Sequence, residues 1–506
     1  MSSVEGSVMS LAQLVADSAA ANPHALAVSS PQAQLTYGEL DRLANVIARA
    51  LRQAGVARGS RVALWTEKSV QVVAAMQAIL RLGAAYVPID PFNPPARVQL
   101  ILRDCAVSAI VSRPALLASL PEPFNAPAFD IATLAGEAAM LSTGPVETPS
   151  VSANDNAFIL YTSGSTGIPK GVCLSHRNAL AFVQWAVAET RATAGDIFSS
   201  HAPFHFDLSV FDLYAAFSVG AAVHLIPESV AAAPALLNEF VRRHRISIWY
   251  SVPSALSLMI EDTTFAESCR PSLRVILFAG EVFPVKHLAK LHALDPEARL
   301  LNLYGPTETN VCTWYEVREQ DFLGAETIPI GKACSGDRVW ARKADGSEAQ
   351  LGEEGELLVE GPSVMLGYWG RPPRGAAPYA TGDRVRLRDD GNYVYLGRID
   401  HMVKVRGFRV ELGEIEAALL AHPRISEAAV VMVGSGLSLR LIAFIACGGK
   451  PAPAFLEMKR HSAERLARYM IPDDFRSLDQ LPRTSTGKID RTALAALAEE
   501  LQPQRG

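Results

Sequence analysis

Short apolar runs recur along this chain with helix-patterned stretches between most of them, and that alternation restricts it to an α/β fold. Arg61–Trp65, Ala109–Val111, Ala157–Tyr161, Ala221–Ile226, Ile246–Tyr250, Val275–Phe278 and Leu300–Leu303 read as strands. Strands alternating with helices build largely parallel sheets. In such sheets ligands bind at the loops leaving the C-terminal ends of the strands. Thr36-Tyr37-Gly38-Glu39 is a capping-box pattern opening a helix through Leu40, Leu43, Ala44, Ile47 and Leu51, stopped by Gly55. A second helix is predicted near Val70–Leu82.

The 506 residues suggest two to four domains at roughly 150 residues each. From Gly331 to Leu396 short strands and turns dominate, among them Asp345-Gly346, Gly367-Tyr368 and Asp390-Gly391, which predicts a β-rich subdomain. After residue 399 a separate α+β unit is expected. It has strands at Met402–Val405, Ala428–Val433 and Leu439–Ala446, and helices at Gly413–His422 and about Ala454–Tyr469. The Pro/Ala/Ser-rich stretch Pro121–Ser150 reads as a surface connection.

A net charge of −5 argues against a general nucleic-acid binder. The six cysteines, Cys105, Cys173, Cys269, Cys312, Cys334 and Cys447, form no C-x-x-C or Cys/His cluster, so a structural zinc site is not expected and reduced thiols in a cytoplasmic protein are. Met1–Ser10 lacks the basic and apolar parts of a signal peptide. The longest uncharged apolar segment, Leu213–Ile226, is too short to span a bilayer and reads as a buried helix-to-strand segment.

The strand Ala157–Tyr161 runs into Thr162-Ser163-Gly164-Ser165-Thr166-Gly167-Ile168-Pro169-Lys170-Gly171. Glycine-freed backbone N–H groups, short hydroxyls and one ammonium are what a polyphosphate needs from a loop. The spacing is neither that of a Walker A loop nor that of a dinucleotide fingerprint. Taken alone, the loop also suits a flexible linker.

Further segments follow in order: His205-Phe206-Asp207-Leu208-Ser209, Phe278-Ala279-Gly280-Glu281, Asn302-Leu303-Tyr304-Gly305-Pro306-Thr307-Glu308, Tyr379-Ala380-Thr381-Gly382-Asp383, Gly397-Arg398-Ile399-Asp400, Val403–Arg409 and Pro482–Lys488. With the glycine loop, this set resembles the adenylate-forming superfamily of acyl-CoA ligases, luciferases and nonribosomal peptide adenylation domains, over about residues 10–495. The resemblance implies an α/β protein. A large N-terminal domain, 1–399, is built of stacked αβ subdomains plus the β-rich subdomain at about 331–396. A small mobile α+β domain spans 400–506.

It further implies ATP and Mg²⁺ as cofactors, an acyl-AMP intermediate and transfer of the acyl group to a thiol. Thr162, Ser163, Gly164, Thr166 and Lys170 would surround the β- and γ-phosphates. Tyr304 would stack on adenine, with Gly280, Glu281 and Asn302 lining the nucleotide site. Thr307 would touch the α-phosphate and Glu308 would hold Mg²⁺. Asp383 would accept from the ribose hydroxyls, with Arg398 beside it. Lys488 would reach the carboxylate and α-phosphate. Asp400 would be the hinge, and Arg406, Gly407 and Phe408 would line the thiol tunnel after rotation.

Asp207 matches the aspartate that pairs with the α-ammonium in amino-acid-activating members. A plain-acid pocket has no cation for it, and a buried lone carboxylate costs several kcal/mol. A helix N-cap is the bland alternative for Asp207, and Asp212 is an alternative ammonium partner. By the same resemblance the pocket comprises Asp207, Leu208, Phe211, Tyr250, Leu277, Ala279, Leu303, Val311, Cys312 and Lys488, with Trp249 or Ser251 replacing Tyr250 after a one-residue slip. Between its charged ends this lining is apolar and suits a compact apolar side chain. It resembles the lining of freestanding prolyl adenylation enzymes, so L-proline is the expected substrate. Thr307, Glu308 and Lys488 are the expected catalytic residues.

Only 15 residues follow Arg491, so the expected acceptor is the phosphopantetheine thiol of a separate carrier protein. Lys459, Arg460, Arg465 and Arg468 on the last long helix would meet it, or simply form a solvated face. No nucleic acid or membrane partner is expected. A D-alanyl carrier protein ligase, an acyl-CoA ligase and a silent nucleotide-binding scaffold remain as alternatives. His205 would gate the acyl site or simply pack, and Cys312 would be a pocket wall rather than a nucleophile.

Overall fold

In the computed structural model, which describes residues 10–139, 149–164, 168–323, 327–399, 402–405, 407–434, 438–483 and 489–500, the chain forms two compact units. The first is built from Met1–Pro91, Leu102–Tyr161 and Gly171–Ile399, the second from Phe92–Ile101, Thr162–Lys170 and Asp400–Gly506.

The larger unit is organised by two sheets. One has nine strands in the order Lys332–Ala333, Thr313–Glu316, Arg299–Tyr304, Val275–Phe278, Ile248–Ser251, Ile197–Ser200, Ala222–Leu225, Leu26–Ser29 and Gln34–Thr36. From Leu26–Ser29 to Arg299–Tyr304 all neighbours pair parallel. The interior strands Ile248–Ser251 and Val275–Phe278 are buried throughout, as expected of parallel strands covered on both faces. The second sheet has seven strands in the order Gly367–Tyr368, Lys170–Ser175, Asn156–Thr162, Ala85–Ile89, Arg61–Trp65, Ala109–Ser112 and Ala128–Asp130.

Local signals in the sequence act as read. Thr36 accepts from the Glu39 N–H while Glu39 accepts from the Thr36 N–H, closing the capping box on Tyr37–Gln53. Ser69 caps Val70–Arg81 in the same way from one side only. The apolar segment Leu213–Ile226 is helix followed by the strand Ala222–Leu225. The β-rich region is a four-stranded antiparallel sheet of Arg338–Arg342, Glu354–Glu360, Tyr379–Leu387 and Tyr393–Arg398.

Three expectations are corrected. Gly367-Tyr368 is not a turn of the β-rich sheet. It pairs with Val172 and Cys173 at the edge of the seven-stranded sheet. Pro121–Ser150 is not a bare connection, since Ala128–Asp130 extends that sheet and Ile131–Ala139 is helical. The helix expected at 454–469 stops at Ala463. The polypeptide then makes a short 3-10 turn at Arg468–Met470, a strand at Asp474–Ser477 and a further helix at Arg491–Glu500. The basic residues therefore do not share a helix. The Lys459 Nζ donates to the Pro472 carbonyl and Arg468 lies over the Phe92 ring.

In the smaller unit Glu427–Val433, Arg440–Ala446 and Asp474–Ser477 form one sheet. Alternation splits it between two cores. Ala428, Val430, Leu441 and Ala443 pack with Ile415, Leu419 and Met458. Ala429, Val431, Ile442 and Phe444 pack with Leu494 and Ala498 on the other face.

Candidate active site

The walls of the expected acyl pocket follow from strand register. Tyr250 lies beside Leu277, and Leu277 beside Leu301. Side chains alternate along a strand, so Ala279 and Leu303, two residues further on, share their face near the C-terminal ends. Tyr250, Leu277, Ala279 and Leu303 belong to one buried apolar cluster with Leu208, Phe211 and Val311. Phe211 meets Tyr250 edge-on, with ring centroids 5.5 Å apart. Trp249 and Ser251 occupy the opposite face, where the Trp249 indole donates to the Ser251 hydroxyl at 2.8 Å.

Cys312 departs from this set. Its side chain packs in a different cluster, with Tyr304, Ile330 and Leu357, and its thiol points to the Tyr304 carbonyl at 3.6 Å. Cys334 shares the cluster of Val311 instead. The sequence carried no signal for it, because the Cys334 and Ser335 side chains reach the Val311 carbonyl from a separate segment. Burial pushes the Cys312 thiol up to about 12, which suits a wall and not a nucleophile.

Asp207 stands at the edge of this apolar set, partly buried. It precedes the helical turn Leu208–Val210, yet its carboxylate makes no capping bond to that turn. Its charge and that of Asp212, together with burial as the larger cause, hold the Tyr250 hydroxyl well above the usual phenol range. His205 lies 3.9 Å from Asp90, and burial lowers its imidazole toward the neutral form.

The loop after Arg299–Tyr304 is shaped by close backbone approach. A Cβ at Gly305 would lie 1.8 Å from the Asn310 carbonyl oxygen, so only glycine fits. The chain folds back there, with the Cys312 N–H donating to the Tyr304 carbonyl at 2.9 Å. This return brings Thr307 and Glu308 to the end of the sheet. Glu308 is fully buried, and its Oε1 accepts from the Tyr368 hydroxyl at 2.7 Å. No sequence pattern marks Tyr368, because Gly367-Tyr368 reads as a turn.

Tyr304 and Asp383 meet across the nine-stranded and four-stranded sheets. The Tyr304 hydroxyl donates to Asp383, and the Arg398 Nη1 donates to Asp383 at 2.9 Å and to the Thr381 carbonyl at 2.7 Å. Burial, then the Asp383 charge, raises the Tyr304 phenol well above its usual range. The Asn302 amide donates to the Pro329 carbonyl at 2.8 Å. Glu281 accepts from the Ser254 N–H at 3.0 Å, at the start of the helix Pro253–Glu261, where a carboxylate complements the helix dipole. Gly280 has φ +94°, a left-handed turn that leads the chain out of the strand Val275–Phe278.

The glycine loop lies in the smaller unit. A Cβ at Gly164 would lie 1.9 Å from the Ile168 carbonyl oxygen. The Ser163 hydroxyl donates to the Arg409 carbonyl at 2.8 Å, and the Gly164 N–H to Glu414 at 3.2 Å. Two expected phosphate donors thus have protein acceptors here. Thr162 and Lys170 end the strands Asn156–Thr162 and Lys170–Ser175 that flank the loop. Gly407 has φ +81°, and Phe408 stacks on Tyr469 with centroids 3.8 Å apart. Thr166, Asp400, Arg406 and Lys488 lie outside the described residues.

Among the described residues no helix is long and apolar enough to cross a membrane. An AMP-binding enzyme model matches residues 15–369 and an AMP-binding enzyme C-terminal domain model matches residues 414–488. An L-proline–[L-prolyl-carrier protein] ligase of Pseudomonas fluorescens is 50% identical over 94% of this chain and 97% of its own. A protein of the same name from Streptomyces coelicolor is 41% identical over 97% and 96%. An artificially fused adenylation–PCP di-domain protein from Klebsiella oxytoca shares the fold, with a TM-score of 0.83 at 23% identity over 93% of this chain and 94% of that one. The chain therefore belongs to the AMP-binding enzyme family.

Proposed function

We propose that this protein activates L-proline with ATP and transfers the prolyl group to the phosphopantetheine thiol of a carrier protein. The observation that carries the reading is the near full-length similarity to two ligases with that printed activity. The pocket supports it. One carboxylate, Asp207, stands at the edge of a wall formed by Phe211, Tyr250, Leu277, Ala279 and Leu303. A secondary ammonium on a compact apolar ring matches that combination, and a second charge on the substrate would have no partner among these wall residues.

In the first half-reaction a carboxylate oxygen bonds to the α-phosphorus and pyrophosphate leaves. In the second the thiolate bonds to the carbonyl carbon and AMP leaves. The attacking carboxylate and the phosphates are both anionic, so charge compensation is the main catalytic demand. Asp207 orients the amino acid by its ammonium, leaving the carboxylate free. Thr307 would donate to the α-phosphate. Asp383, held by Tyr304 and Arg398, presents a fixed acceptor to the ribose. Lys488 neutralises the charge that builds during attack.

Mg²⁺ fits the donor set. Magnesium is usually held by one or two carboxylates together with substrate phosphates and water. Among the described residues no group of three or more acidic, His or Cys side chains would cage it alone. Glu308 would supply one carboxylate, oriented by the Tyr368 hydroxyl, and a metal held there would neutralise phosphate charge at the leaving group.

Amino-acid-dependent ATP–pyrophosphate exchange tests the reading, run across the proteinogenic set plus D-alanine. Exchange led by L-proline is expected. Exchange led by D-alanine, valine or a non-amino acid overturns the substrate assignment. A pocket discriminates a missing or extra methylene by only about 1–3 kcal/mol, so weak exchange with other small apolar residues is also expected.

A further inference from the structure

Asp207 lies on the connection between the strand Ile197–Ser200 and the turn Leu208–Val210. Its carbonyl accepts from the Val210 N–H at 3.0 Å within that turn. Lys68 reaches this connection from the segment between Arg61–Trp65 and Val70–Arg81. Its Nζ donates to the carbonyls of Ser200 at 2.8 Å, His201 at 3.1 Å and Ala202 at 3.3 Å. An ammonium has three N–H donors, and these three acceptors take them all. An ammonium so occupied has no donor left for a ligand. What it holds is backbone.

Beyond Asp207 the helix contains a π-helical turn, Phe211–Ala215. Such turns often occur at functional sites. Asp212 within it is fully buried, and neither carboxylate oxygen has a hydrogen-bond partner among the described residues. Burial raises its carboxyl well above the usual carboxylate range, and the Lys68 charge opposes that rise. The influence is mutual. Burial pushes Lys68 down to about 8, and Asp212 then Glu228 oppose that fall.

We infer that Lys68 is a positioning residue for amino-acid recognition, pinning the chain before Asp207 by three carbonyl bonds. The inference rests on Asp207 being the ammonium partner. No local pattern marks Lys68, since it stands far from every motif that carries the family resemblance.

The test compares Lys68→Met, Lys68→Arg and Asp207→Ala by exchange kinetics, varying L-proline and ATP separately. Lys68→Met is expected to raise the KM for L-proline about tenfold or more while the KM for ATP stays within about twofold, the signature of lost substrate positioning. Lys68→Arg keeps the charge but spreads its donors in a plane. A smaller rise in the same KM is expected, and this variant decides the matter if Lys68→Met fails to fold. An unchanged L-proline KM in the folded Lys68 variants, with a raised one in Asp207→Ala, overturns the inference and leaves Asp207 standing. Equal rises for L-proline and ATP also overturn it, as a general structural effect. An unchanged L-proline KM in Asp207→Ala removes the ammonium pair on which the inference rests.

Discussion

Asp383→Ala removes a carboxylate that two elements of the larger unit share. Tyr304 donates to one oxygen and Arg398 to the other. The Arg398 side chain is 9% exposed and that of Asp383 3%, so water does little to replace the lost partner. Removing one member of a buried pair costs about 3–5 kcal/mol. Arg398 keeps the Thr381 carbonyl at 2.7 Å, which argues for the low end, about 3 kcal/mol. The Tyr304 hydroxyl also loses its acceptor, which adds about 1 kcal/mol. A loss of about 4 kcal/mol is expected in all. Denaturant unfolding followed by tryptophan fluorescence is the assay. All six tryptophans, Trp65, Trp185, Trp249, Trp314, Trp340 and Trp369, lie in the larger unit, so the signal is not mixed with unfolding of the smaller one. Tyr304→Phe is expected to cost about 1 kcal/mol. Asp383→Ala combined with Arg398→Met is expected to recover part of the loss, because the guanidinium that lost this carboxylate is gone too. A loss under about 1 kcal/mol for Asp383→Ala, or a double variant no better than the single, would refute the reasoning.

Two further outcomes are expected. Lys488→Ala should abolish prolyl-AMP formation while sparing thiol transfer from synthetic prolyl-AMP, measured as carrier-protein loading; equal loss of both half-reactions would sink that role. His176 should make the fold acid-sensitive. Its Nδ1 accepts from the Leu11 N–H at 3.2 Å, its Nε2 has no partner, and burial lowers it to about 4, with Asp155 opposing. The unfolded imidazole titrates near 6.5, so its contribution is complete above that pH. It falls as pH drops from 6.5 to 4 and levels off below, a change of about 3 kcal/mol. His176→Gln should flatten that part of the stability–pH curve; an unchanged slope would dismiss His176 as its cause.

Local patterns were the most legible part of the fold. The strand Arg61–Trp65 and the strand Val275–Phe278 have the bounds that their apolar runs indicate. The helix after Thr36 begins at its capping box. Elements failed where the signal was weak or misleading. Ala128–Asp130 is a three-residue edge strand in a Pro/Ala-rich stretch, with one exposed residue, so it is too short for alternation to mark it. Arg465 and Arg468 continue a helix-like pattern past Ala463, yet the helix stops there. The strand Asp474–Ser477 that follows has partners in the sheet at Ile442–Ile445, a long-range pairing that no local window contains.

The sequence alone determined the family and the chemistry, because the residues that define them lie in short contiguous motifs whose order survives without coordinates. Tertiary structure decided how those residues are held. Strand register placed Tyr250, Leu277 and Leu303 on one face and turned Cys312 to another cluster. Chain reversal brought Tyr368 to Glu308 and Arg398 to Asp383. A lysine outside every motif clamps the backbone that carries Asp207. Such contacts join residues far apart in the chain, and their spacing in sequence carries no trace of the distance at which they meet.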